Sequence, residues 1–223
     1  MNFRRFLTVS IAFSTAFFAG VAVAHVPYLE KSDFSADTPF KVKNISQSKA
    51  MYSWLETPSD VDHFVMQVDE PTRIFVNTIV PHCQEYADFT LTYAVIGPGL
   101  PAPDDSVSLP FELPADHGVV VIREEIDPNG ERPILYEGFT NRVYFEGPTY
   151  DVQVEAPGQY AVIVWQEDGQ TGDYVAVIGK EEQFGPADIW RALANTFKIR
   201  RSKELHGPCT EVQEETLITA QAQ

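Results

Sequence analysis

Short runs of hydrophobic residues, separated by turn signals, fill the chain from residue 40 to residue 178. Phe64, Met66 and Val68 alternate with other residues, and this period of two predicts a half-buried strand with His63 pointing outward. Segments rich in β-branched and aromatic residues continue the pattern at 73–80, 89–96, 119–122, 142–145, 150–154, 160–165 and 174–178. Because no helical pattern interrupts these strands, the sequence predicts an all-β fold, an antiparallel, jelly-roll-like β-sandwich.

A proline-rich stretch, residues 97–116, interrupts the strand pattern. Its prolines and glycines are typical of a loop, which we expect to be inserted between two strands. These features predict one β-sandwich domain over residues 25–182, followed by a C-terminal helix and tail over residues 183–223.

One amphipathic helix is predicted over residues 186–205. Gly185-Pro186 is a typical helix start. Ile189, Leu193 and Phe197 recur every four residues, beside several basic side chains. Two interpretations stay open at this point. Either the apolar stripe covers the sandwich, or the basic amphipathic helix makes a peripheral contact with a membrane or a partner.

The first 24 residues have the features of a secretory signal peptide. Arg4 and Arg5 precede an apolar run that closes on Ala22-Val23-Ala24, a typical signal-peptidase site. We therefore expect export to the periplasm or beyond, with residues 1–24 cleaved and His25 as the first residue of the mature protein.

Export would bring the two cysteines, Cys83 and Cys209, into an oxidising compartment. Cysteines in such a compartment usually form disulfides, so we expect these two to be bonded to each other. Such a bond ties the C-terminal tail to the main domain. A Cys2His2 metal site with His82 and His206 is the alternative, although the usual C-x-x-C and H-x-x-x-H spacings are missing.

The chain is strongly acidic, with 32 Asp and Glu against 16 Lys and Arg and a net charge of −16. Because the leader carries two arginines and no acid, its removal changes the net charge to −18. This charge argues against nucleic acid as a partner, since affinity for nucleic acid comes largely from Lys and Arg on phosphates.

Catalytic signatures of common hydrolases, metallopeptidases and nucleotide-binding enzymes are missing from the sequence, so no enzyme activity is predicted. Asp60 and Asp62 stand next to a predicted strand end, and we interpret them as solvated turn residues.

The histidines are candidate ligands for a metal ion. As an N-terminal residue, His25 offers its α-amine and its imidazole to one ion, and nitrogen ligands suit copper and nickel. One more imidazole, from His63, His82 or His117, completes a three-nitrogen site in this hypothesis.

Residues 59–68 (SDVDHFVMQV) join a D-x-D turn to an alternating strand, and residues 156–162 (APGQYAV) are followed by residues 171–177 (TGDYVAV). The first stretch resembles the D-x-D turn and alternating strand of the bacterial pre-peptidase C-terminal (PPC) β-sandwich. The other two resemble the closing G-x-Y and G-D-Y strands of that family. The resemblance implies a non-catalytic, jelly-roll-like module without an active site.

The mature start, residues 24–30 (AHVPYLE), is followed by Asp33, Phe34 and Pro39. It is similar to the opening of periplasmic β-sandwich proteins that are linked to nickel or cobalt uptake, and copper-binding sandwiches also begin with His. This resemblance implies a metal-binding role for His25.

The preferred function is therefore an exported, non-catalytic binding or accessory module that acts on extracytoplasmic protein or carbohydrate. Tyr136, Phe139 and Tyr144 are the candidates for an aromatic binding platform. The alternative is a periplasmic copper- or nickel-binding protein that uses His25.

Overall fold

The structure is a computed structural model that describes residues 25–104, 106–138, 140–202, 205 and 207–209. The predicted leader lies outside the described residues. The strands are β1 Val26–Leu29, β2 Phe40–Val42, β3 Lys49–Leu55, β4 Val61–Val68, β5 Thr72–Pro81, β6 Thr92–Gly97, β7 Gly118–Arg123, β8 Ile134–Glu137, β9 Arg142–Val154, β10 Gly158–Trp165 and β11 Gly172–Ile178. One helix, α1, spans Pro186–Arg201.

Two sheets pack face to face and enclose the main core. The first sheet has the order β1-β3-β11-β5-β9-β8, and the second has the order β2-β4-β10-β6-β7. Most neighbours are antiparallel, while the short edge strands β1 and β2 pair in parallel with β3 and β4. The predicted all-β sandwich with a C-terminal helix is thus confirmed.

Strand β9 differs from the prediction, which divided it into two strands at the Gly147-Pro148 pair. The chain instead continues extended past this pair, and the register against β5 shifts between Asn77 and Ile79. A Cβ atom on Gly147 would lie 2.8 Å from the carbonyl oxygen of Thr78, so glycine allows the two backbones to approach here. The glycine marks an irregular strand rather than a turn.

Gly97 ends β6, and the other described residues of the proline-rich stretch 97–116 belong to the predicted loop between β6 and β7. The loop has a packing role, because Leu109, Phe111 and Leu113 cover the outer face of the second sheet. The ring of Phe111 lies edge-on to Trp165, with 5.8 Å between the centroids.

Helix α1 lies against the outer side of the first sheet, beside β1. Its small buried residue Ala192 and its buried Ile199 face the domain, and Asn195 donates a hydrogen bond to the carbonyl oxygen of Pro27 (2.8 Å). The helix ends at Arg201, four residues before the predicted end, where Ser202 adopts an extended backbone. No helix in the described part of the chain is long and apolar enough to cross a membrane.

A disulfide joins Cys83, which follows β5, to Cys209, and it confirms the predicted tether of the C-terminal segment. Both cysteines pack against the core between the sheets. Because the sulfurs are bonded to each other, the structure contradicts the alternative Cys2His2 metal site.

Replacing Cys83 and Cys209 together with serine is expected to lower the free energy of unfolding by about 2–4 kcal/mol, since the bond closes a loop of 126 residues in the unfolded chain. Urea unfolding of both proteins measures the change. An unchanged midpoint would show that the bond does not stabilise the fold.

Candidate functional site

A cluster of carboxylates lies at one end of the sandwich, where the two sheets meet. Glu30 directly follows β1, Asp33 belongs to the loop after it, and Asp62 is the second residue of β4. One carboxylate oxygen from each of the three lies within 4.8 Å of the other two. Residues that are distant in sequence are therefore brought together by the pairing of β1 with β3 and by the packing of β4 across the core.

Hydrogen bonds from the backbone orient Glu30. Its Oε1 accepts the N–H of Phe34 (3.2 Å), and its Oε2 accepts the N–H of Trp54 on β3 (2.9 Å). The side chain is therefore fixed between β3 and the loop that carries Asp33.

Asp62 points into the core and is 0% exposed. It occupies the same inward row of β4 as Phe64 and Met66. The hydroxyl of Tyr174, on β11 of the opposite sheet, donates to its Oδ2 (2.5 Å). Its Oδ1 has no hydrogen-bond partner among the residues that the structure describes. The interpretation of Asp62 as a solvated turn residue was wrong, because the alternation of β4 places it on the buried face.

The acidic groups of the cluster favour their protonated forms. The pKa of Asp62 is raised to about 8, chiefly by burial; the nearby carboxylates of Glu30, Asp60 and Asp33 act in the same direction, and the hydrogen bond from Tyr174 acts against them. Burial likewise raises the pKa of Glu30 to about 7, although its two backbone hydrogen bonds act in the opposite direction.

Asp33 is exposed and forms the outer side of the cluster. Partial burial and the neighbouring Asp60 raise its pKa. Among the described residues, no Lys or Arg forms an ion pair with these carboxylates.

The structure places the four candidate histidines in different surroundings. The Nδ1 atom of His25 lies 2.6 Å from Ser48 Oγ. The ring of His63 meets Phe111 edge-on at 6.4 Å between the centroids. His82 lies against the ring of Phe145, and His117 interacts with Asp116 and with the carbonyl oxygen of Gln159.

None of these histidines belongs to a group of three close metal-ligating side chains in the described ranges. The hypothesis of a site built from several of them therefore finds no support in their positions. Burial lowers the pKa values of His25, His63 and His82, which favours neutral imidazoles. A copper or nickel ion at the mature N-terminus stays a prediction.

The predicted aromatic platform is not present as proposed. Tyr144 is 0% exposed and packs under α1 with Ile199 and Val175, so it is a core residue. Tyr136 is half-buried, with its hydroxyl donating to Asn141 (2.8 Å), and Phe139 lies outside the described residues.

Helix α1 presents apolar side chains to solvent. Ile189, Trp190, Leu193 and Phe197 are 51, 72, 41 and 62% exposed. The interpretation in which this stripe covers the sandwich was wrong, because the helix packs through a different face, that of Ala192. The alternative, in which the stripe contacts something outside the domain, agrees with the observed orientation.

Basic residues accompany the exposed stripe. Arg200 and Arg201 stand one turn after Phe197, and the guanidinium of Arg201 lies 5.9 Å from the Phe197 ring centroid. With Arg191, Lys198 and one acid, the helix carries a net charge of +3 in an acidic protein.

No family model matches the chain, and no curated protein matches its sequence. Among solved structures, the chain is similar to PliG of Aeromonas hydrophila, a periplasmic lysozyme inhibitor of g-type lysozyme. The sequences are 12% identical, the TM-score is 0.34, and the match covers 63% of this chain and 93% of that one. A likeness at this level carries no argument about function.

Proposed function

We propose that this is an extracytoplasmic, non-catalytic binding protein that docks on an acidic protein partner through the exposed face of α1. The observation that carries the proposal is the stripe formed by Ile189, Trp190, Leu193 and Phe197, which faces away from the domain. Large contiguous apolar surfaces on soluble domains mark interaction sites, and Trp is enriched among the residues that dominate binding energy.

The helix is held rigidly enough to act as a preformed docking surface. The guanidinium of Arg191 donates to the hydroxyl of Tyr28 (2.8 Å), and Gln47 donates to Asp188 in the first turn (2.9 Å). With the Asn195 contact to Pro27, these bonds join the helix to β1 and the loop before β3. Little ordering is then needed when a partner binds.

The charge distribution favours an acidic protein over a membrane. The helix has a charge of +3, whereas the rest of the mature chain is strongly negative. An anionic bilayer must approach this acidic body closely if the helix is to insert its apolar face, and the two like charges repel. A protein partner can present its acidic surface to the helix alone.

Export is part of the proposal. The leader sequence and the disulfide between Cys83 and Cys209 both support an oxidising, extracytoplasmic compartment. Tyr144, one of the three residues of the predicted aromatic platform, is buried, so the exposed face of α1 is the preferred binding surface and protein the preferred ligand class.

Photocrosslinking identifies the partner. A benzoylphenylalanine at position 190 is expected to give one defined adduct in the extracytoplasmic fraction of the producing cell. The same residue at position 134, where Ile134 is 50% exposed on β8, serves as the control. Adducts of equal yield at both positions, or binding only to vesicles that contain phosphatidylglycerol, would contradict the proposal.

Once the partner is identified, Trp190→Ala is expected to weaken its binding at least about tenfold, because a central aromatic anchor is lost. Titration calorimetry measures the affinity. Thermal unfolding is expected to be unchanged, since Trp190 is largely exposed. Ile134→Ala is the matched control, and an equal loss of affinity in both variants would show that α1 is not the interface.

A further inference from the structure

We propose that Glu30, Asp33 and Asp62 bind one divalent cation of the oxygen-preferring class, best represented by calcium. This site is separate from the α1 surface and is independent of the proposed docking function. Its three side chains come from the end of β1, the following loop and β4, so a bound ion connects the two sheets.

The spacing of the ligands suits one ion. One oxygen from each residue lies within 4.8 Å of the others. Oxygens on opposite sides of a calcium ion are also about 4.8 Å apart, because each Ca–O distance is roughly 2.4 Å. Calcium accepts irregular sets of carboxylates, completed by water, whereas copper and nickel favour nitrogen ligands.

A second observation points to a ligand independently of the clustering. Asp62 is 0% exposed, and its Oδ1 accepts no hydrogen bond from the described residues. A buried carboxylate oxygen without a partner is costly, since its hydration is lost without replacement. A cation in contact with Glu30 and Asp33 supplies the missing interaction.

The surroundings fit a metal site in two further respects. The backbone N–H groups of Phe34 and Trp54 orient the Glu30 carboxylate, and the Tyr174 hydroxyl orients Asp62, as outer hydrogen bonds do at metal centres. Asp33 is exposed, so the ion has a route from solvent to the buried ligand.

In the described part of the chain, these carboxylates form no ion pair with a Lys or Arg side chain. Asp60 adds a fourth acid to the electrostatic environment of Asp62. The raised pKa values of Glu30 and Asp62 express the cost of holding these charges without a cation.

Titration calorimetry of the purified protein with CaCl2 at pH 7.5 tests the site. We expect one equivalent to bind with a Kd in the range of about 10⁻⁵–10⁻³ M. MgCl2 serves as the comparison and is expected to bind more weakly.

Asp33→Asn is the decisive variant, because Asp33 is exposed and its replacement preserves the fold. It should weaken calcium binding at least about tenfold, a change of about 1.4 kcal/mol. Asp37→Asn removes the same charge from an exposed position of the same loop and is the control. Binding weaker than 10 mM in the wild type, or equal affinity in the two variants, would overturn the proposal.

Discussion

Arg132→Ala is expected to lower the free energy of unfolding by about 3–5 kcal/mol, because it leaves a buried acid without its partner. The side chains of Arg132 and Glu124 are 2% and 6% exposed. Two guanidinium nitrogens of Arg132 donate to Glu124 Oε1, at 3.0 and 2.5 Å. A third donates to the carbonyl oxygens of Tyr86 and Ala87.

Urea unfolding measures the loss of stability, and two further variants show whether it comes from the buried charge. Arg73→Ala removes an ion pair with Asp151 whose arginine is 63% exposed, so it should cost far less stability than Arg132→Ala. The double variant Arg132→Met, Glu124→Gln should be more stable than Arg132→Ala, since no buried charge remains. Equal losses for Arg132→Ala and Arg73→Ala would contradict the prediction.

The alternation along the strands could be predicted from the sequence because each strand of the main core has one row of residues facing inward. Strand β4 shows this most clearly, with Phe64, Met66 and Val68 buried and His63 half-buried. Strand β3 was missed for a physical reason. Nearly all of its residues are buried, including the polar Lys49 and Ser53. Its sequence therefore shows no alternation of apolar and polar residues.

One member of the carboxylate cluster could have been found from the sequence. If His63 points outward, Asp62 must point inward with Phe64, and an acid on the inward row of a strand is unusual. Glu30 and Asp33 could not be assigned in this way, since they reach Asp62 through the parallel pairing of β1 with β3 and through the hydrogen bond from the His63 N–H to the carbonyl oxygen of Phe34. That pairing is non-local and leaves no periodic signal.

The helix shows a different limit of sequence patterns. The spacing of Ile189, Leu193 and Phe197 correctly indicates a helix, but it does not indicate what the stripe contacts. Packing through Ala192 was favoured because a small residue lets the helix lie close to β1, where Asn195 bonds to Pro27. The larger side chains then remain on the solvent side.

In the absence of divalent cations, the free energy of unfolding is expected to fall as the pH rises from 7 to 8. The folded-state pKa values of Asp62 and Glu30 are about 8 and about 7, whereas both groups titrate near pH 4 when unfolded. The folded protein therefore binds more protons in this range, and stability declines with a slope of up to about 1.4 kcal/mol per pH unit for each fully protonated group. The stability that these two protonated acids contribute is fully present below about pH 4. It is lost once the pH exceeds their folded-state pKa values.

Other titrating groups oppose the effect of these acids over part of this pH range. Burial lowers the pKa values of His25, His63 and His82, and their opposing effect on stability is confined to lower pH. Burial also lowers the pKa of Lys49 to about 8, so the folded protein already begins to lose this proton within the range, and Lys49 opposes the decline increasingly toward pH 8. The decline due to Asp62 and Glu30 is therefore expected to be clearest between pH 7 and 7.5.

Urea unfolding at pH 7.0, 7.5 and 8.0 with EDTA measures the slope, and Asp62→Asn is the variant that identifies its source. Asparagine has nearly the same shape but does not titrate, so the variant should show a flatter slope than the wild type and be relatively more stable at pH 8.

Saturating CaCl2 should also raise the stability of the wild type at pH 8, because the ion binds the deprotonated folded state. Equal slopes in Asp62→Asn and the wild type would mean that the buried acid does not control the pH dependence. If the slope is present but CaCl2 has no effect on it, the carboxylates hold protons rather than a cation.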